Sequence, residues 1–200
     1  YHLLHWFCFQ FVFMQKKIFS LILSWIFCIN IVSENVDPIE AEVSILVDIS
    51  EQRLYLLEKN EIIASYPISS SKYGEGSTLN SFKTPLGRHI VKEKIGTYSA
   101  KNTIFIARED TRMLANIIND PIETKNDYVT SRIMWLSGLE EGINKGKNVD
   151  SYRRYIYIHG THEEGLIGSK ASHGCIRMFN ADVIELYNNI KKGTKVTIIS

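Results

Sequence analysis

Three of the six histidines, His159, His162 and His173, fall in one short span, and Cys175 closes it. Cys8 and Cys28 lie in the apolar N-terminal stretch, so Cys175 is the only cysteine of the remaining chain and has no partner there for a disulfide. A thiol becomes a useful nucleophile when a neighbouring base or cation favours its thiolate, and an imidazole is the obvious activator. If the segment is extended, residues i and i+2 share a side, which predicts that His173 and Cys175 face one cleft. Gly174 between them permits close backbone approach. The amides of Gly174 and Cys175 are then the candidate donors to an oxyanion. His159 ends the apolar run Tyr155-Ile156-Tyr157-Ile158 and precedes Gly160, as where a strand delivers a side chain to an active-site loop. Either histidine can serve as base or orienter. Proximity in sequence favours His173, but spacing does not fix the direction of an imidazole.

Other chemistry is open to the same residues. A lone buried cysteine is ordinarily an inert small hydrophobe. His159, His162 and His173, with a carboxylate from Glu163 or Glu164, are a conceivable zinc set. The order His159-x-x-His162-Glu163 is neither the metalloprotease helix motif nor a paired-cysteine finger, so the expectation is no metal and no other cofactor. His162 reads as a loop residue. Trp135, beside Ser131 and Arg132, reads as a core residue on a strand, with an aromatic wall for substrate as the alternative.

Short β-rich segments must position these groups. Period-two alternation marks strands at Val43 to Ile49 and Arg53 to Leu57. Lys59-Asn60 is a two-residue turn into a third strand, Glu61 to Ile68. Residues 69 to 81, rich in Ser and Gly, form a loop before the turn Thr84-Pro85-Leu86-Gly87 and a strand Arg88 to Ile95. Further strands are expected at Ser131 to Leu136, Arg153 to His159 and Lys195 to Ile199. One helix is expected near the C-terminus, with Asn180 as N-cap, Val183, Leu186, Tyr187 and Ile190 on one face, and Gly193 as terminator. No alternation of strands with helices of crossover length occurs, so the fold class is mainly β with an antiparallel bias. Residues 109 to 150 carry the weakest pattern.

Composition sets the frame. The chain has 200 residues, 44% of them hydrophobic and 22% charged, which excludes disordered and collagen-like classes and allows one domain with a sorting segment. The formal charge of +1 offers no bulk attraction to nucleic acid, and no nucleic-acid partner is expected. Residues 1 to 33 hold Lys16, Lys17, no acidic residue, and the apolar run Ile18 to Ile29, shorter than the ~20 residues that span a bilayer. The expectation is a signal peptide or N-terminal anchor that engages the membrane or export machinery. Translation would start at Met14 and cleavage would fall near Ser33. Cys28 follows Phe27 rather than a small residue, which disfavours lipid attachment. The protein would be exported to the periplasm or cell envelope, with residues 40 to 200 as its catalytic domain.

Taken together, His159-Gly160-Thr161, Ile167-Gly168 and Ser172-His173-Gly174-Cys175-Ile176-Arg177-Met178, with Asn180 and Asp182, resemble the signature of the L,D-transpeptidase (YkuD-type) catalytic domain family. Val47-Asp48, Gln52-Arg53-Leu54-Tyr55-Leu56 and Lys83-Thr84-Pro85-Leu86-Gly87 resemble the family's opening hairpin and its Thr-Pro-x-Gly turn, so the likeness covers roughly residues 43 to 200. It implies a β-sandwich-like fold with a short C-terminal helix, carrying a cysteine acyltransferase for peptidoglycan stem peptides. By the same resemblance Cys175 attacks the carbonyl of the third stem residue, D-alanine leaves, and a thioester waits for an amine. His159 matches the proton acceptor and donor, and His173 the second histidine beside the nucleophile. Arg177, Ser172 and Gly160 match substrate-binding positions, Arg177 holding a carboxylate through a bidentate guanidinium. His162 departs from the family, where Asn is common. The acceptor stays open between another stem peptide, a lysine of a wall-anchored lipoprotein and a free D-amino acid. The alternative function keeps the thioester and hands it to water, as an L,D-carboxypeptidase or amide hydrolase. Papain-like hydrolases are disfavoured, because they place the cysteine before the histidine.

Overall fold

A computed structural model describes residues 42–200. The signal segment, the start at Met14 and cleavage at Ser33 lie outside the described residues. Ten strands run in chain order: β1 (Val43–Asp48), β2 (Arg53–Glu58), β3 (Glu61–Ser69), β4 (Gly87–Ile95), β5 (Thr103–Ile106), β6 (Glu109–Leu114), β7 (Val129–Gly138), β8 (Tyr157–Thr161), β9 (Ile176–Met178) and β10 (Lys195–Ile199). The one α-helix among the described residues is α1 (Asn180–Asn189). The fold is mainly β and sandwich-like, with the short helix near the C-terminus.

The strands follow the order β4-β10-β1-β2-β3-β9-β8-β7, and β7 pairs back onto β4, so eight strands close a ring. Closure removes the exposed edges of those eight strands. The pairings are antiparallel except for β1 with β10 and β8 with β9. Each of the eight ring strands contributes to one core, for example Val47, Leu54, Ile68, Val91, Leu136, Ile158, Ile176 and Val196, all fully buried. Val183, Leu186 and Tyr187 of α1 join it. At about 1.5–3 kcal/mol for each large aliphatic side chain removed from water, this cluster supplies the main cohesion of the domain. Alternation along β7 sends Met134 and Leu136 into that core and Ile133 and Trp135 into a second cluster with Phe105 and Tyr157.

The turn at Lys59-Asn60 places both residues in the left-handed region, at φ 50° and 68°, as a two-residue hairpin requires. Four expectations need correction. The strand expected from Arg153 begins only at Tyr157, because residues 151–155 form a turn in which Tyr155 takes φ +58°. The strand expected at Ser131 to Leu136 is longer, β7 running from Val129 to Gly138 with a bulge at Ser131, φ +62°, and β6 precedes it in the stretch of weakest pattern. Asn180 is the first helical residue and not the cap, a position held by Phe179 without a side-chain bond. Asn180 is instead a buried knot: its Oδ1 accepts from Thr130 Oγ1 (2.6 Å) and Ser131 Oγ (2.5 Å), and its Nδ2 donates to the Thr161 carbonyl (2.7 Å) and Glu164 Oε1 (2.8 Å). Glu164 Oε1 also accepts the Asn180 N–H at 2.8 Å, so a carboxylate from another element does the capping. Finally, the helix ends at Asn189, and Gly193 sits in the turn beyond it, donating its N–H to the Val91 carbonyl.

Candidate active site

The parallel pair β8 and β9 builds the site. Register sets Ile158 opposite Ile176 and His159 opposite Arg177. Ile158, Ile176 and Met178 point into the ring core. Tyr157 and His159 therefore share the other face with Cys175 and Arg177. The i, i+2 relation expected for His173 and Cys175 holds instead for Cys175 and Arg177, and for Tyr157 and His159. Residues 173–175 are a bend, with Gly174 at φ +119°, which turns His173 away to the surface. A Cβ at Gly174 would meet the Lys83 and Phe82 carbonyls only in ordinary contact, at 3.4 and 3.5 Å, so it is the positive φ that favours glycine there.

Cys175 is half-buried and packs against the cluster of Phe105, Ile133, Trp135 and Tyr157. Its thiol donates to the Tyr155 carbonyl at 3.3 Å, and its Sγ accepts the Tyr157 N–H at 3.4 Å. Burial pushes the thiol pKa up to about 12; the Tyr157 N–H and the charges of Arg177 and Arg154 pull the other way, and Asp127 adds to the rise. The resting group is a protonated thiol.

His159 is 2% exposed. Its Nδ1 lies 2.7 Å from the Gly160 carbonyl, which can only accept, so Nδ1 carries the proton and Nε2 keeps the lone pair. Burial lowers its pKa to about 4 despite the opposing charge of Asp127, leaving a neutral base at neutral pH. Gly160 cannot carry a side chain: its Cβ would meet Asn180 Oδ1 at 2.6 Å and the Thr130 carbonyl at 2.8 Å. Its place is under the site, packed between strands.

His173 is exposed, and its Nδ1 lies 2.9 Å from Asp127 Oδ2. The other Asp127 oxygen is 2.7 Å from Arg177 Nη2, and Arg177 Nη1 donates to Glu163 Oε2 at 2.9 Å. Arg177 and Glu163 are both 1% exposed. Burial raises the Asp127 carboxyl, and Arg177 more than reverses this, with a net pKa below the usual range. Asp127, from the stretch that sequence reasoning read least well, and Glu163, considered only as a zinc ligand, are thus the site's main acidic members. The cue in the sequence was Arg177 itself, since a buried guanidinium demands carboxylates.

Ser172 is buried and shapes the loop: its hydroxyl donates to the Cys175 carbonyl at 2.6 Å and accepts the Gly174 N–H at 3.2 Å. His162 is 4% exposed, with Nε2 3.0 Å from Thr124 Oγ1 and its ring against Tyr128. Among the described residues, no group of three or more His, Cys, Asp or Glu is arranged to hold a metal ion. Trp135 stacks on Tyr152 at 4.0 Å and meets Tyr157 edge-on at 5.5 Å, a core member of the cluster against which Cys175 packs.

A Bacillus subtilis relative named as an L,D-transpeptidase, YkuD, is 50% identical over 46 residues, which are 23% of this chain and 28% of that one. The Escherichia coli relative ErfK/SrfK, also named as an L,D-transpeptidase, is 46% identical over 46 residues, 23% of this chain and 15% of its own length. The matched segment thus spans less than a third of either relative. Solved L,D-transpeptidases from Mycobacterium smegmatis and Xylanimonas cellulosilytica align over 80% of this chain and 59% and 61% of theirs, with TM-scores of 0.47 and 0.46 at 16% and 17% identity. The sequence model of the L,D-transpeptidase catalytic domain, YkuD, matches residues 42–198. With a match that takes in both strands of the site and the whole ring around them, the chain belongs to the L,D-transpeptidase catalytic domain family.

Proposed function

We propose that the chain is an exported L,D-transpeptidase that acts on peptidoglycan stem peptides through a thioester on Cys175. The observation that carries this reading is a neutral His159, its tautomer held by the Gly160 carbonyl, on the same strand-pair face as the only cysteine of the described residues. A thiol at about 12 and an imidazole at about 4 rest as a neutral pair, so the nucleophile is formed only when substrate arrives. The thiol leaves the Tyr155 carbonyl and passes its proton to His159 Nε2 as sulfur attacks the carbonyl of the third stem residue. The S–C bond forms, the C–N bond to the terminal D-amino acid breaks, and His159 returns the proton to the departing amine. An acceptor amine then attacks the thioester, and the sulfur leaves with a proton delivered by the same imidazole.

The Gly174 N–H is used within the loop, which leaves the Cys175 N–H as the donor suited to the oxyanion. Arg177 acts from beneath the site: both of its carboxylate partners come from the chain, and through Asp127 it fixes His173. Lys16, Lys17 and the apolar run after them support export to the cell envelope. The test is mass spectrometry of purified muropeptides incubated with the protein. Cross-linked dimers with loss of the terminal D-amino acid are expected, whereas trimmed monomers alone would make water the acceptor and the enzyme a carboxypeptidase.

A further inference from the structure

Resting on that reading, we infer that Tyr73, Phe82 and His173, with Glu123, form the subsite that receives the acceptor as an ammonium ion. The three rings are mutual neighbours: Tyr73 and His173 centroids are 5.8 Å apart, Phe82 and His173 6.2 Å, and Tyr73 and Phe82 5.9 Å. Tyr73 is 47% exposed and Phe82 54%, so large aromatic faces look outward directly beside the nucleophile loop. Phe82 holds φ +57°, a costly conformation for a bulky residue and one that points to a functional constraint.

The platform is rigidly joined to the residues around Cys175. The Lys72 N–H donates to the Ser172 carbonyl at 3.0 Å, and Thr84 Oγ1 donates to the Gly174 carbonyl at 3.1 Å. Ser71 Oγ donates to the Phe82 carbonyl at 2.5 Å, and Arg154 donates to the Lys83 carbonyl at 2.6 Å. Rings on such a frame keep their distance from the thioester.

The chain's own Lys72 shows what the surface accepts. Its ammonium is paired with Glu123 and stands 5.6 Å from the Tyr73 ring centre. Aromatic faces with a carboxylate are the chemistry that holds an alkylammonium. Asp127 is already engaged by Arg177 and His173, so Glu123 is the carboxylate free to exchange one ammonium for another. The proton balance also fits. An ammonium reacting with the thioester forms one C–N bond, breaks the C–S bond, restores the thiol and releases one net proton. His173, exposed and oriented by Asp127, stands where that proton can pass to solvent, while buried His159 recycles the other.

The experiment uses the full chain with a stem tetrapeptide as donor and Nα-acetyl-lysine amide, whose ε-amine is the probe, as acceptor. Acylation of Cys175, hydrolysis of the thioester and transfer to the amine are measured separately. In the double variant Tyr73→Ala, Phe82→Ala the KM for the amine should rise about tenfold, with acylation and hydrolysis rates changed less than about twofold. In Lys72→Gln the internal competitor is gone, and the KM for the amine should fall severalfold. An unchanged KM in these variants, a parallel fall of acylation, or hydrolysis without transfer in the parent protein would each overturn this subsite while leaving the thioester reading intact. Failure of the parent to acylate Cys175 at all would overturn the thioester reading, and the subsite with it.

Discussion

The two faces of the β8–β9 pair set stability against chemistry within a few residues. Toward the ring, Ile158, Ile176 and Met178 are aliphatic and fully buried, and any well-packed hydrophobic shape of their volume would serve. On the opposite face, Tyr157, His159, Cys175 and Arg177 put polar groups at low exposure, each with a named partner. The first face makes the second affordable: the ring core supplies the free energy that holds a neutral histidine, a protonated thiol and a guanidinium out of water. The site face is in turn divided, since His159 lies beneath the surface on a carbonyl and His173 stands at the surface on a carboxylate. The same residue type therefore sits in two different electrostatic settings.

Cys175→Ala tests the division most severely. Turnover should disappear and no covalent adduct with a carbapenem should be seen by intact mass, with the melting temperature nearly unchanged. Activity that persists in this variant would remove the cysteine mechanism.

The two histidines come next. His159→Ala should slow adduct formation in single turnover by about 10²–10⁴-fold, the range for a lost general base, once circular dichroism confirms folding. His173→Ala should cost about tenfold or less, because Asp127 and the loop around it are disturbed while the buried proton path survives. If His159→Ala keeps the parent pH profile and His173→Ala loses it, the base is the exposed residue.

On the core face, Ile176→Ala should destabilise by about 2–5 kcal/mol in urea unfolding, through lost transfer free energy and the cavity left behind. The fraction that remains folded should still acylate. A variant that is stable but inactive would show that the two faces are not separable.

The smallest effect concerns acid. His159 and the fully buried His89, held by the Gly87 carbonyl and Ser151 Oγ, both have pKa values lowered by burial to about 4. Below its ordinary pKa of ~6.5 the unfolded histidine binds a proton that the folded one refuses. Stability from these groups is thus complete above ~6.5 and is lost as pH falls toward 4, by up to roughly 3 kcal/mol each. His89→Asn should flatten the fall in melting temperature between pH 6.5 and 4 without moving the pH profile of acylation. An equally steep fall in that variant would assign the acid sensitivity to His159 and the carboxylates.

How much of this was legible beforehand depends on the distance over which each feature is decided. Period-two alternation located β1 and β2, the Lys59-Asn60 turn led into β3 and the Thr84–Gly87 turn into β4, because strand faces and tight turns are written in adjacent residues. Cys175, His159 and His173 stood out for a similar reason, as uncommon reactive side chains crowded into one span. The bulge at Ser131 and the left-handed Tyr155 were hidden, since each interrupts a local pattern in favour of a contact made elsewhere. Asp127 was hidden more deeply: a lone aspartate in a loop carries no signal until folding sets it between His173 and Arg177. The sequence by itself determined the mainly β class, the candidate nucleophile and the two candidate bases. Tertiary structure alone decided which histidine is buried and neutral, which carboxylates hold Arg177, and that Ser172 and Gly160 shape the site from below. Those outcomes depend on burial and on charges brought together across the sheet, and neither is a property of neighbours along the chain.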